Sequence, residues 1–148
     1  MKNYEAYKMT ANQFINGKYN KVILSIGSCE AHGYHLPLGT DTLVAYKLAC
    51  EVAEHYDDIL ALPPIPIGYS GHYDNFPFTL TFSYDTTIRV LYDVIASVLR
   101  NGIKRIIIIN GHDGNIAPIE IASRQIKEKY PDARIIALPQ WWVTAGEL

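Results

Sequence analysis

Short apolar runs that alternate with segments of helical periodicity dominate this sequence. Three of the runs, KVILSIGS, KRIIIIN and ARIIALPQ, are rich in β-branched residues and have the length of strands buried in a sheet. A fourth, DILALPPIPIG, predicts a buried strand that stops at its prolines, because proline cannot donate to a strand ladder. The segment FTLTF, residues 78–82, alternates strictly and predicts a short half-exposed or edge strand.

The segments between these runs carry apolar residues at helical spacing. The clearest predicted helix spans residues 85–100 and is followed by an Asn-Gly stop. An earlier helix begins where Thr40 or Asp41 can cap its first turn, and a later one spans residues 116–130 with Asn115 as its cap. Because strands alternate with helices, we expect an α/β fold with a mostly parallel sheet covered by helices on both faces.

Composition narrows the class of protein. The 148 residues contain no internal repeat or linker, so we expect a single domain over residues 1–148, and 49% apolar residues suffice for a real core. A net charge of −2 favours a small molecule or another copy of the chain as partner, not nucleic acid or a membrane. Two cysteines, with no leader and no bilayer-length apolar run, predict a soluble, cytoplasmic protein in which Cys29 and Cys50 are free thiols.

Polar side chains follow three of the predicted strands, at the edge where open α/β sheets bind ligands. The three groups are Glu30, His32, His35 and Asp41; Ser70, His72 and Asp74; and His112, Asp113 and Asn115. We therefore expect three loops that are distant in sequence to converge on one edge of the sheet. His55 is the exception, since it lies in the last turn of a predicted helix, where a histidine commonly faces solvent.

The stretch GSCEAHGYHLPLGTDT holds the densest of these groups. If Glu30 to His32 is extended, residues two apart point to the same side, so this carboxylate and this imidazole face one centre. Asp41 returns at the start of the next helix and could bridge two metals. Imidazoles combined with carboxylates suit zinc, manganese or iron(II). Two such ions about 3.5–4 Å apart are typical of enzymes that catalyse hydrolysis.

Each residue also has a simpler interpretation. A single Glu or His in a loop is commonly a solvated surface group, and Asp41 alone would be a helix cap. His112 alone could pack beneath a helix, and Asn-Gly in NGHDGN is common turn chemistry. A phosphate or nucleotide site at the following helix is a further alternative, but G-x-G-x-x-G and G-x-x-x-x-G-K-S/T are both absent and these loops hold no Lys or Arg.

Taken together, GSCEAHGYHLPLGTDT, IPIGYSGHYDNFPFTLT and IIIINGHDGN resemble the creatininase (creatinine amidohydrolase) family. The patterns E-x-H…H-L-P-L-G-T-D, G-x-S-x…F-P and N-G-H-x-x-N occur in the family's order and cover nearly all of the chain. The resemblance implies a three-layer α/β/α sandwich, assembly into homo-oligomers, and a centre of two divalent metals, Zn, Mn or Fe. It also implies hydrolysis of a C–N bond in a cyclic amide or formamide by metal-bound hydroxide.

The resemblance assigns roles to particular residues. Glu30 and His112 would bind one metal, His32 the other, and Asp41 would bridge the two. Ser70 and Asp113 would contact the substrate, whereas His35 belongs to the motif without being a ligand. After the last strand, Trp141 and Trp142 could wall the pocket, or could pack in the core or against another subunit.

The sequence departs from the family pattern at two places. Creatininase has a glutamate ligand two residues after the turn histidine, where this chain has Gly114, and this weakens the case for creatinine as substrate. A later His-Ala-Gly…Glu segment of the family does not occur in this sequence, which ends in TAGEL. The alternative to an amidohydrolase is therefore a truncated, non-catalytic metal-binding member that acts as a binding or scaffold subunit.

Overall fold

A four-stranded parallel sheet forms the centre of the computed structural model, which describes residues 3–146. The strands, in the spatial order β2-β1-β3-β4, are β1 Lys21–Ile26, β2 Ile59–Ala61, β3 Arg105–Asn110 and β4 Arg134–Leu138. The central strands are in register from Lys21 beside Arg105 to Ile26 beside Asn110. The loops that follow β1 and β3 therefore leave the sheet side by side.

Successive residues of a strand point to opposite sides, so both faces of this sheet carry side chains, and helices cover both faces. The helices are α1 Ala11–Asn16, α2 Thr40–Glu54, α3 Tyr84–Arg100, α4 Ile116–Lys129 and α5 Trp141–Ala145. On one face, buried residues of α3 and α4 such as Leu91 and Ile119 pack with Leu24 of β1. On the other face, Ala45 and Ala49 of α2 pack with Ile23. The predicted α/β class, with a parallel sheet between helical layers, is confirmed.

The predicted strand at residues 78–82 is wrong. Phe78 has φ of 59°, in the left-handed region, so the extended run that the alternation predicted is broken at its first residue. In the described structure the one strand-like pairing of this segment is an antiparallel bridge from Leu80 to Cys29, and the Phe82 N–H donates separately to the Gly68 carbonyl at 2.9 Å. The segment thus ties two loops together and adds no strand to the sheet.

Two predicted helix caps are also wrong. The residue before α2 is Gly39, which makes no side-chain cap, and Thr40 and Asp41 lie inside the helix. Asn115 precedes α4 without capping it, because its side chain bonds to other segments. For α3, by contrast, the predicted span is close to the observed one, and the Ser83 side chain accepts a hydrogen bond from the Thr86 N–H.

Helix α1 was missed in the sequence. The Thr10 side chain accepts from the Gln13 N–H, and the Gln13 side chain accepts from the Thr10 N–H, which makes a reciprocal capping box. The pattern Thr-x-x-Gln was the available signal. Within residues 3–146, no helix has the length and apolar character needed to cross a membrane.

Candidate metal centre

The start of α2 lies directly on the ends of the two central strands. A Cβ at Gly27, just after β1, would come within 2.4 Å of the Thr42 N, and a Cβ at Gly111, just after β3, would come within 2.3 Å of the Asp41 carbonyl oxygen. Real Cβ atoms do not approach backbone this closely, so glycine at both positions allows the contact. The first turn of α2 consequently places the Asp41 side chain at the carboxyl edge of the sheet.

Around Asp41 the structure brings together the residues predicted as metal ligands. Asp41 Oδ1 lies 2.8 Å from His32 Nε2, and Asp41 Oδ2 lies 3.1 Å from His112 Nδ1. Glu30 Oε1 lies 3.2 Å from the same His112 nitrogen. Glu30, His32 and Asp41 each offer one ligand atom, and these atoms lie within 4.8 Å of one another. The two carboxylates and two imidazoles therefore form one cluster.

Backbone carbonyls orient both imidazoles in this cluster. His32 Nδ1 lies 3.2 Å from the Glu30 carbonyl oxygen, and His112 Nε2 lies 3.0 Å from the Tyr69 carbonyl oxygen. Since a carbonyl only accepts, each of these nitrogens donates, and the opposite nitrogen of each ring faces a carboxylate. Histidines that bind metals are commonly held in this way by their other ring nitrogen. The arrangement leaves both rings oriented to present a nitrogen to a cation.

Gly114, where the sequence departs from creatininase, has a structural role here. A Cβ at this position would lie 2.2 Å from the Tyr69 carbonyl oxygen and 2.8 Å from His112 Nε2. The absence of a side chain therefore leaves room for the carbonyl that orients His112. A glutamate at this position would displace that carbonyl from its place against the imidazole.

The cluster is largely removed from solvent. Glu30 is 3% exposed and His112 is 4% exposed. Glu30 Oε2 is buried and has no hydrogen-bond partner. A buried carboxylate oxygen without a partner carries a desolvation cost, which a bound cation would offset. The donor chemistry and this orphaned oxygen both fit a divalent metal.

The pKa shifts show how the cluster is arranged around positive charge. Burial lowers the pKa of the His112 imidazole, but hydrogen bonds with Asp41 and Glu30 outweigh it and raise the pKa to about 9. Burial likewise raises the pKa of the Asp41 carboxyl, but hydrogen bonds from His112 and Ser28 and the charge of His32 outweigh it, so that this pKa lies below its usual value. Without metal, a proton on His112 supplies the positive charge at neutral pH.

A cavity of about 560 Å³ opens beside the cluster. Besides the cluster residues, its walls include Trp141, Trp142, His72 and Asp113, and we call it the tryptophan cavity. Trp141 Nε1 donates to the Asn110 carbonyl at 2.8 Å, which holds the indole in place, and the ring also packs on the α2 face of the core. The pocket and core interpretations of Trp141 therefore both apply.

The other residues predicted to belong to the site differ in their position relative to the cluster. Ser70 is fully buried, and its Oγ lies 3.4 Å from His112 Nε2, so it contacts a cluster residue instead of lining the tryptophan cavity. Asp113 lines that cavity and accepts a hydrogen bond from Gln140 at 3.0 Å. His35 and Asp74 are exposed. The substrate contacts predicted for Ser70 and Asp113 stay predictions.

Sequence reasoning missed two contributors to the cluster. Ser28 Oγ donates to Asp41 Oδ2 at 2.7 Å, and its place in GSCEAH, two residues before Glu30, was the available signal. The His72 ring stacks on His112 with centroids 5.5 Å apart and an interplanar angle of 6°. His72 was grouped with the other edge residues but received no role, because its stacking partner lies forty residues away in sequence.

Comparisons with known proteins found a matching family model and similar relatives. The family model Creatininase, described as creatinine amidohydrolase, matches residues 7–147. The mycofactocin precursor peptide peptidase of Mycolicibacterium smegmatis is 32% identical over 117 residues, which are 76% of this chain and 47% of that protein. Creatinine amidohydrolase of Pseudomonas putida is 28% identical over 130 residues, which are 81% of this chain and 50% of that protein.

Solved structures show the same fold. One described as Creatininase Mn superposes with a TM-score of 0.82 at 25% identity and covers 95% of this chain and 59% of its own. A crystal structure of creatinine amidohydrolase gives a TM-score of 0.86 at 24% identity, with the same coverage of 95% and 59%. The chain spans about half the length of the curated relatives it matches. Because the family model matches almost the whole sequence, the chain belongs to the creatininase family.

Proposed function

We propose that this protein is a divalent-metal-dependent hydrolase that cleaves an amide C–N bond. The observation that carries the proposal is the cluster itself, in which two buried or half-buried imidazoles, each oriented by a backbone carbonyl, face the carboxylates of Glu30 and Asp41. Relatives named as an amidohydrolase and as a peptidase support the reaction class, since both kinds of enzyme cleave C–N bonds.

The ligand assignment is the one that the family resemblance implies, and the positions of the donor atoms support it. Glu30 and His112 would hold one metal and His32 the other, with Asp41 shared, because its two oxygens face different imidazoles. Nitrogen and oxygen donors of this kind suit Zn, Mn or Fe. A divalent metal supplies Lewis acidity toward the amide carbonyl and lowers the pKa of water.

Other residues would position the ligands and the substrate. The Ser28 hydroxyl donates to Asp41 and holds its carboxylate in place. The Tyr69 carbonyl accepts the proton of His112 Nε2, so that Nδ1, the nitrogen facing the carboxylates, is the one available to a metal. Trp142 and the His72 ring wall the tryptophan cavity. The exposed Asp113 carboxylate in that cavity would accept a hydrogen bond from a substrate N–H. Ser70 would either help to position His112 or contact the substrate directly.

A non-catalytic metal-binding subunit is the second candidate, and one observation favours it. With Glu30 and His112 assigned to the first metal, His32 and Asp41 would be the protein ligands of the second among residues 3–146. Two protein ligands hold a divalent ion weakly. Metal binding without hydrolysis would be the behaviour of such a binding or scaffold subunit.

The proposal extends to partners and location. A small amide substrate, with no nucleic acid or membrane partner, is supported by the net charge of −2. Cytoplasmic location is supported by Cys29 and Cys50, which form no disulfide in the described structure. Assembly into a homo-oligomer is supported by apolar side chains left exposed at the sheet edge, such as Ile136.

Metal analysis of purified variants tests the ligand set. We expect Asp41→Asn to lose metal from both positions, and Glu30→Gln and His32→Ala to lose about one equivalent each. His35→Ala and Asp74→Asn are the controls, since both residues are exposed and lie outside the cluster. Unchanged metal content in all cluster variants would mean that no such centre exists. Assays of metal-loaded protein on creatinine, a formamide and short peptides then separate hydrolase from binding subunit.

A further inference from the structure

A second cavity, of about 610 Å³, meets the same cluster. Glu30, His32 and Tyr73 line both this cavity and the tryptophan cavity, so the cluster lies where the two spaces adjoin. Its remaining walls come from two loops, and we call it the Tyr34 groove. The side chains that form those walls, besides the shared Tyr73, are Ala31, Tyr34, Leu36, Leu38, Phe76 and Pro77.

The Tyr34 groove is polar at one end and apolar along the rest. Among the described residues that line it, Glu30 is the one acidic residue and His32 the one basic residue, and both belong to the cluster. Away from them the walls are aliphatic and aromatic. If the carbonyl group of a ligand lies at the cluster, the adjacent part of that ligand would therefore lie against the apolar walls of the groove.

Hydrogen bonds hold the two walls of the groove in place. The Glu30 N–H donates to the Leu38 carbonyl at 2.9 Å, which closes the first loop at its base. In the second loop, the Phe76 N–H and the Thr79 hydroxyl both donate to the Tyr73 carbonyl at 2.9 Å. The Leu80 N–H donates to the Cys29 carbonyl at 2.9 Å and joins the loops. The apolar walls therefore have a defined position relative to the cluster.

Several wall residues are open to solvent. Tyr34 is fully exposed, Leu36 is 46% exposed and Phe76 is 53% exposed. Covering such side chains with an apolar group is favourable by about 25 cal/mol for each Å² of apolar surface removed from water, so the groove favours an apolar occupant.

The size of the two spaces indicates the form of the substrate. Cavities of 560 and 610 Å³ each lie within the range of about 300–1,000 Å³ typical of sites for drug-sized ligands. A compact ring would occupy only part of one of them. From this geometry we infer that the substrate is an extended amide with an aromatic or branched aliphatic group on one side of the scissile bond, and that this group binds in the Tyr34 groove. The inference rests on the proposed hydrolase function.

Hydroxamic acids provide a test that does not depend on turnover, because the hydroxamate group binds metals while its substituent explores the neighbouring surface. With zinc-loaded protein, calorimetry should show 3-phenylpropionohydroxamic acid binding at least about tenfold more tightly than acetohydroxamic acid. Phe76→Ala should reduce that advantage at least about threefold and leave acetohydroxamic acid unchanged. Phe78→Ala is the matched control, since Phe78 is a 69% exposed residue of the same loop outside the groove. NMR contacts between the ligand phenyl protons and Leu36 methyl groups should accompany tight binding.

The outcomes separate this inference from the proposed function. If the protein takes up no zinc, both the function and the inference fail. If acetohydroxamic acid binds but the phenyl group adds nothing, the metal centre stands and the apolar subsite is wrong. The subsite is equally wrong if Trp142→Ala, and not Phe76→Ala, removes the advantage, or if Phe76→Ala changes the oligomeric state instead of the affinity ratio.

Discussion

The Asp41 carboxylate uses both of its oxygens within the cluster. Oδ2 accepts from Ser28 and lies against His112, while Oδ1 lies against His32. The residue lies in the first turn of α2, where sequence alone allowed it to be a helix cap. Its side chain instead turns toward the sheet edge, because Gly27 and Gly111 bring that turn onto the strand ends.

Metal binding at His112 should compete with protons. The pKa of this imidazole is about 9 in the metal-free protein, so the ring is protonated at neutral pH, whereas a metal binds only the neutral ring. Below that pKa each binding event at His112 displaces a proton. The apparent affinity for Zn²⁺ should therefore rise about tenfold per pH unit between pH 6 and 8, as measured by competition with a chromophoric chelator.

The control for this prediction is His55→Ala. His55 is exposed at the end of α2, and its removal should leave the pH dependence unchanged. A zinc affinity that stays constant between pH 6 and 8 would contradict the pKa assigned to His112. The metal content of the variants would then be the remaining test of the ligand set.

Asn115 joins three segments of the chain at full burial. Its Oδ1 accepts from the Tyr69 N–H at 3.0 Å, and its Nδ2 donates to the Gly27 carbonyl at 2.9 Å. A Cβ at Gly68 would come within 2.0 Å of the same Oδ1. The asparagine in N-G-H-x-x-N thus connects the loops of the site, a role for which its position before a helix gave no signal.

At the scale of elements, the packing of α2 on the strand ends decides whether the site forms. Gly27→Ala would place a methyl group against the Thr42 backbone, which cannot move without shifting the helix. We expect a loss of about 3 kcal/mol in the free energy of unfolding, the upper part of the range for overpacking. Weaker zinc binding should follow, because Asp41 moves with the helix.

Gly39→Ala is the matched control, since a Cβ at Gly39 meets nothing within 4 Å. Replacing glycine by alanine just before a helix should lower the free energy of unfolding by less than about 1 kcal/mol. Chemical denaturation of both variants measures the difference. Equal destabilisation would show that the close approach of α2 to β1 is not a constraint on the fold.

At the scale of the whole molecule, strand β4 leaves one edge of the described sheet open. It pairs with β3 alone among the strands of residues 3–146. Its Ile136 is 61% exposed, and an open apolar edge favours pairing with another chain. This edge is therefore where we expect the predicted homo-oligomer, or non-specific association, to begin.

Ile136→Lys should reduce self-association of this chain, because a charge on an edge strand opposes pairing. Sedimentation over a range of protein concentrations should show a lower average mass, with little change in the melting temperature. Ile121→Lys makes the same change at an exposed position of helix α4 instead of the edge strand and should leave the mass unchanged. If both variants associate as the unaltered chain does, the β4 edge is not the contact.

The order of the elements followed from the sequence, because strand and helix periods are local properties of the chain. Apolar runs predicted all four strands, and helical spacing predicted α2, α3 and α4 to within a few residues. The strict alternation of FTLTF failed because the left-handed backbone at Phe78, which interrupts it, is not encoded in periodicity. A local pattern cannot report a conformation that packing imposes.

For the site, the sequence determined which residues have the chemistry, and the tertiary structure decided how they are used. Glu30, His32, Asp41 and His112 were found from residue type, spacing and family resemblance. Only the fold decided that carbonyls orient both imidazoles and that Asp41 lies between them. These contacts join loops separated by many residues. Their distances depend on strand register and on the close packing of α2, which no single segment of the sequence contains.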